Sequence, residues 1–350
     1  MKAIVWHGPR EMRLEEAPEP TVRPWEALLR IESCGVCGSD MHYYLDGRIG
    51  SQVLRKPTIL GHEYAGIVEA VGAEADPNLV GKRVAVEPGI PCMKCEWCRT
   101  GHYNVCTKMS FPGGPGCNGA LCERIAVHAA FCFPVPESMT APVAAMIEPL
   151  AVALHTVELA QLTPGASVAI FGLGPIGLLT ARVARFSGAG LIIGSDLHPY
   201  RVEAGCRHGA DVTFQATAGD AAMGASATLE HILGMTQGRG VDVAIDCTNS
   251  SEGVALVCHA ARPAGRCVLT GISGAESDGV PVSIARRREL TLQWCRRFRF
   301  NFPTAIALLH ARQLDVAPLI THSFPLERAP EAFELVAHAQ DNVLKASIDL

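Results

Sequence analysis

Four cysteines fall within fifteen residues in PCMKCEWCRTGHYNVC (91–106), at Cys92, Cys95, Cys98 and Cys106. Gaps of two residues let successive thiolates turn inward on one tetrahedral ion, and four sulfurs fill a closed structural zinc site. A ferredoxin-like iron–sulfur run has similar spacing. The proline expected after its last cysteine is missing here, and no second cluster motif follows. The surrounding lobe, about 88–110, is poor in apolar residues, so the ion would supply much of its folding free energy.

A second cluster is more dispersed. CGVCGSDMHYY (34–44) places Cys34 and Cys37 three apart, a spacing shared by redox dithiols, metal cages and small core residues. GHEYAG (61–66) offers His62 beside Glu63, and Glu148 stands alone in IEPL. A Cys/His/carboxylate set with one open position is the composition of a catalytic zinc rather than a structural one. The residues alone leave open which sulfur belongs to it.

The third chemical feature is GLGPIG (172–177), directly after the β-branched run SVAIFG and directly before a helical stretch. In that context G-x-G-x-x-G is a pyrophosphate loop. Gly172 allows the tight turn, Gly174 lets the backbone approach the phosphates, and Gly177 permits close packing of helix on strand. Pro175 and Ile176 complete the loop at the helix N-terminus, which supplies positive potential. Asp196 ends the next strand, 22 residues after Gly174. A carboxylate there accepts from both ribose hydroxyls and repels a 2′-phosphate, which favours NAD over NADP. Arg201 follows closely, and Thr248, Gly271 and Ile272, at the ends of later strands, complete the candidate cofactor contacts.

The elements that must position these groups change character near residue 165. Before it, short β-like runs (KAIVW, ALLRIES, AGIVEAVG, RVAVEP, ERIAV) are separated by Gly and Pro, which suits a mostly-β, barrel-like domain. From there, strands alternate with helices in the βαβ rhythm of a doubly wound parallel sheet. The expected division is a catalytic domain over 1–150, a nucleotide-binding domain over 151–287, and a segment 288–350 that rejoins the first. Such a length suits two domains.

Net charge is −5, which argues against nucleic acid or an anionic membrane as partner. The arginine-rich stretch ARRRELTLQWCRRFRF (285–300) is interrupted by apolar residues and reads as a solvated edge around a strand. The N-terminus meets charge too early for a signal peptide. No run reaches the roughly 20 uninterrupted apolar residues of a membrane span, since 141–162 is broken by Pro142, Glu148, Pro149 and Glu158. A cytoplasmic location is expected, where the fourteen cysteines would stay reduced.

CGSDMH, GHEYAG, the four-cysteine lobe, IEPLAVALH and GLGPIG occur in the order found in zinc-dependent medium-chain dehydrogenases, which this chain resembles over essentially its whole length. YLDGRIG, EPGIPC, EWCRTGHYNVC and THSFPLERAPEAFE look most like the polyol (sorbitol/xylitol) subgroup. The resemblance implies a GroES-like catalytic domain and a Rossmann domain, NAD and two zinc ions per chain, and a homotetramer. It implies Cys37 as the metal ligand with His62 and Glu63, and Cys34 as a buried neighbour. Glu148 either ligates the metal or holds its water; alcohol dehydrogenases of the family carry Cys there. Ser39 takes the alcohol proton, with His42 next in the relay. Tyr43, Phe111, Glu148, Arg297 and Phe298 line the substrate site. The family's Phe-Arg-Tyr motif falls on Arg296-Arg297-Phe298, which keeps the Arg and loses a hydroxyl; a shifted alignment would make Arg299 the contact. The implied reaction is oxidation of a sugar alcohol to its 2-ketose. L-Threonine 3-dehydrogenase and 2,3-butanediol dehydrogenase are the alternatives within the family, and a non-catalytic nucleotide-binding relative is the alternative outside it.

Overall fold

The computed structural model describes residues 1–217 and 227–350. The chain forms two compact units, one of Met1–Ala151 with Arg299–Leu350 and one of Val152–Phe298. The return to the first unit comes at Arg299 rather than at 288, because the strand Thr291–Trp294 pairs in parallel with Ala261–Leu269 and extends the second unit's sheet.

In the first unit a seven-stranded sheet carries the site. Its central strand, Glu26–Gly35, shows why the sequence settles there. Ala27, Leu29, Ile31 and Ser33 alternate into the core, as a half-buried strand requires. At its end the alternation stops, and Cys34 and Gly35 are buried together with Ser33. Gly35 pairs with Glu63 at the start of the strand Glu63–Val71 on one side. On the other it pairs with Ser347 of Lys345–Asp349. Three neighbouring strands therefore bring Gly35, Glu63 and Lys345 to one edge. Gly35 has to be glycine, because a methyl group there would overlap the Glu63 carboxylate and stand 3.1 Å from Lys345 Cε.

The second unit is a six-stranded parallel sheet in the order Val212–Gln215, Leu191–Asp196, Ser167–Phe171, Val241–Asp246, Ala261–Leu269, Thr291–Trp294. Strand order reverses at Ser167–Phe171, the switch point at whose carboxyl end ligands bind in such sheets. The glycine loop starts there. A side chain at Gly177 would collide with the Gly172 carbonyl, so the helix Pro175–Phe186 lies too close to the strand for any other residue.

Ala141–Ala160 is the one stretch among the described residues long and apolar enough to cross a membrane, and 78% of it is buried inside the protein. It is built as a core element.

Glu87, just past the strand Arg83–Val86, is 3% exposed. Burial pushes its carboxyl up from 4.5 to about 7, against a hydrogen bond from Tyr103 that lowers it. A raised acid favours the protonated folded state. The stability it contributes is full below about pH 4.5 and is lost as pH rises through 7. Glu87→Gln should therefore be more stable than the parent at pH 8, by at most about 3 kcal/mol, with the gain gone by about pH 5. Urea midpoints at the two pH values measure this; a gain that persists at low pH would contradict it.

Candidate active site

The helix Gly38–Asp46 begins at Cys37, its N-cap, directly after the central strand ends. Its third residue, Asp40, is 1% exposed and accepts the Cys37 amide at 3.3 Å. The other Asp40 oxygen lies 3.3 Å from His62 Nδ1. His62 Nε2 is thereby turned toward Ser39 Oγ, 3.3 Å away, and Ser39 Oγ in turn donates to Cys37 Sγ at 3.4 Å. Burial would lower the proton affinity of His62. Asp40 and Cys37 outweigh it and hold that affinity well above the ordinary imidazole. The Phe111 ring packs on His62 with centroids 5.0 Å apart. Cys37, Ser39 and His62 thus form one cluster. Cys34 is fully buried, its thiol pushed well up by desolvation, as a core neighbour's would be.

Glu63 is 1% exposed and its carboxylate is paired with the Lys345 ammonium. Lys345 also donates to the Val36 carbonyl at 3.0 Å. Burial works against a charged lysine, yet Glu63, Cys37 and Glu148 together raise its affinity for the proton. Glu148, 6% exposed in the first turn of Ile147–Ala160, is therefore within electrostatic reach of the same cluster. Donor chemistry fits a zinc ion at Cys37 and His62. The imidazole has a carboxylate on its far nitrogen, the arrangement that fixes tautomer and ring orientation at zinc sites. Glu63, the remaining donor of the set, stands on Lys345 in this structure.

The four-cysteine lobe is more sharply defined. Sγ atoms of Cys92, Cys95, Cys98 and Cys106 all lie within 4.8 Å of one another, the only such metal-ligating group among the described residues. Cys95 Sγ is 3.3 Å from Cys98 Sγ. The Cys92 and Lys108 amides donate to Cys106 Sγ at 3.3 and 3.4 Å. Amides of Lys94 and Cys95 pull the Cys92 thiol down to about 6, while burial holds Cys98 up at about 12. Sulfurs gathered this closely, with amides aimed at them, fit a structural zinc; the ion would neutralise charges the lobe otherwise has to keep protonated. All fourteen cysteines are free thiols.

At the glycine loop, a Cβ on Gly174 would meet only Arg201 Nη1, at 3.8 Å, so the backbone there is open to a ligand. Asp196, 7% exposed, accepts the Leu173 amide at 2.8 Å and the His198 amide at 2.9 Å. It holds the loop in shape, with Arg201 Nη1 at 3.9 Å. Thr248 donates through both its amide and hydroxyl to Asp246, whose carboxyl burial pushes up to about 6. Gly271 packs so closely on the Thr248 carbonyl that a side chain would overlap it, and Ile272 is 39% exposed beside it.

Of the remaining candidates, Tyr43 is buried in the helix that starts at Cys37, and His42 precedes it, half-buried. Arg297 and Phe298 close the second unit, Phe298 at 3% exposure. Sequence reading missed Asp40 and Lys345. Asp40 carries a local signal, an acid at the third helical position after the ligand cysteine. Lys345 carries none.

The N-terminal part matches the alcohol dehydrogenase GroES-like domain over residues 23–137, and the zinc-binding dehydrogenase domain matches over 175–311. Sorbitol dehydrogenase of Bacillus subtilis (strain 168) is 36% identical over 99% of this chain and 97% of its own. That of Pongo abelii is 39% identical over 95% and 91%. Among solved structures, L-idonate 5-dehydrogenase from Escherichia coli superposes with a TM-score of 0.89 at 28% identity, covering 100% of this chain and 98% of that one. An alcohol dehydrogenase from E. coli CFT073 complexed with NADH gives 0.88 at 29%, over 100% and 99%. The 2R,3R-butanediol dehydrogenase from B. subtilis gives 0.87 at 28%, over 100% and 99%.

Asp40→Asn keeps an acceptor for the Cys37 amide and removes the charge behind His62. Zinc affinity at the Cys37–His62 site should fall about 10- to 100-fold, measured by chelator competition. Cys98→Ser should instead halve the zinc content by emptying the lobe, and lower thermal stability. Undiminished chelator resistance in Asp40→Asn would refute the role given to that carboxylate.

Proposed function

The chain belongs to the zinc-dependent medium-chain dehydrogenases, in the group of the sorbitol dehydrogenases, and from that premise we propose that it is an NAD-linked polyol dehydrogenase. It oxidises the C2 hydroxyl of xylitol- or D-sorbitol-type sugar alcohols to the 2-ketose. The observation that carries this reading is the Cys37–Ser39–His62 cluster, in which a hydroxyl stands between two different metal-ligating side chains.

A zinc ion bound there supplies Lewis acidity, which brings a hydroxyl's pKa down toward neutrality, and NAD is the acceptor for the hydride that leaves C2. The rest falls to the chain's own side chains. Asp40 fixes the His62 ring so that Nε2 faces the cluster. Ser39 Oγ is the hydroxyl in place to take the alcohol proton, and His42 is three residues on along the same helix to receive it. Phe111, against the His62 ring, keeps one wall of the cluster apolar and excludes water. Glu148 and Tyr43 accept and donate to substrate hydroxyls. Asp196 favours NAD by accepting from the ribose.

The same reading places the enzyme in the cytoplasm as a homotetramer; fourteen thiols without a disulfide support a reducing compartment. Similarity to a butanediol dehydrogenase keeps a short diol as the second substrate class, with L-threonine behind it. Initial rates on xylitol, D-sorbitol, 2,3-butanediol and L-threonine, with NAD and NADP, separate these. We expect the highest kcat/KM on a polyol with NAD, loss of activity after zinc chelation and its return with zinc. Turnover of threonine alone would overturn the assignment.

A further inference from the structure

A carboxylic acid stands in the interior of the second unit, at the end of the strand Val241–Asp246, which pairs with Ser167–Phe171 at the switch point. Asp246 is 4% exposed. Burial pushes its carboxyl up to about 6. The groups that act on it are Thr248, whose two donors favour ionisation, and the Asp278 carboxylate, which opposes it. No cation is among them. An acid buried in this way costs the fold stability, and such groups concentrate at sites with a task.

Its surroundings show the task. Asp246 Oδ1 accepts both the Thr248 amide at 2.9 Å and the Thr248 hydroxyl at 2.7 Å. That hydroxyl accepts the Ser250 amide at 3.2 Å, and Ser250 Oγ accepts the Glu252 amide at 3.2 Å, where the helix Gly253–Ala260 begins. The segment from Cys247 to Glu252 is therefore a chain of hydrogen bonds that starts at one carboxylate. The Asp246 carbonyl accepts the Thr270 and Gly271 amides, both at 2.9 Å, just past the neighbouring strand. Two glycines make room for the acid. A side chain on Gly253 would overlap the carboxylate, and one on Gly271 would stand 2.8 Å from Oδ2. Next to Asp246, the Cys247 amide donates to the Phe171 carbonyl at 2.8 Å, where the glycine loop starts.

A sheet of this order consists of two halves, each of which takes one mononucleotide of a dinucleotide. The glycine loop and Asp196 belong to the half built on Ser167–Phe171, Leu191–Asp196 and Val212–Gln215. The other half, Val241–Asp246, Ala261–Leu269 and Thr291–Trp294, ends in the loops that Asp246 joins, and these carry Thr248 and Gly271. We propose that Asp246 is a positioning residue for the nicotinamide nucleotide: its carboxylate fixes Cys247–Glu252 against Thr270–Gly271 and so shapes the half of the cradle that the glycine loop does not supply. The inference rests on the NAD part of the reading above and not on the choice of substrate.

Fluorescence titration with NADH and competition by AMP separate the two halves without turnover. Asp246→Ala should weaken NADH binding about 10-fold, the lower end of what a hydrogen bond to a charged group contributes. AMP, which fills only the first half, should keep its affinity within about twofold. Hydrogen exchange at the Thr248 and Ser250 amides should accelerate, while the Leu173 amide, held by Asp196, should not change. Asp246→Asn keeps an acceptor oxygen and should recover most of the NADH affinity. Should Asp246→Ala fail to fold, Gly253→Ala displaces the carboxylate from outside both loops and should weaken NADH with the same selectivity. A parent that binds no NADH overturns the NAD reading and this inference together. With an NADH-binding parent, this inference alone falls if a folded Asp246→Ala or Gly253→Ala variant binds NADH as the parent does or loses NADH and AMP equally. It falls equally if Thr248 exchange is unchanged in Asp246→Ala, or if Asp246→Asn binds NADH no better than Asp246→Ala.

Discussion

Asp40 divides its carboxylate between two jobs that must be done at the same place. One oxygen takes the amide of Cys37 and sets where the helix begins; the other holds the far nitrogen of His62. A thiol on a helix start and an imidazole on a loop 25 residues later have no covalent reason to meet. The shared carboxylate supplies it, and at 1% exposure it acts without competition from water. A charge-assisted hydrogen bond of this kind is roughly twice as strong as a neutral one. It also leaves Nε2 as the His62 nitrogen that faces Ser39.

Behind that cluster lies a second commitment of charge. Glu63 and Lys345 are both nearly sealed from solvent, and removing either alone would strand a charge in the core. The pair owes its position to register. Gly35, Glu63 and Lys345 sit at one end of three adjacent strands, and a slip of one residue would carry them to opposite faces. Lys345 makes Glu63 a carboxylate with a resident cation. In this structure the Glu63 carboxylate is committed to that ammonium group. Glu148 adds a second acid within reach of the same lysine.

How much of this the sequence discloses follows from how local each interaction is. The lobe cysteines and the glycine loop are legible because spacing of two or three residues fixes what the backbone can do. Asp40 stood in CGSDMH at a capping-box position that marks its bond to the Cys37 amide, but its second partner, His62, is 22 residues away and leaves no local trace. Lys345 lies 282 residues beyond Glu63, and only the strand order of the folded sheet joins them. Asp196 was read for the ribose; its hold on the Leu173 amide depends on how the loop turns back over the sheet. Among Cys34 and Cys37, the choice came from resemblance, and the end of the central strand supplies the physical difference: Cys34 lies buried within the sheet and Cys37 beyond its end.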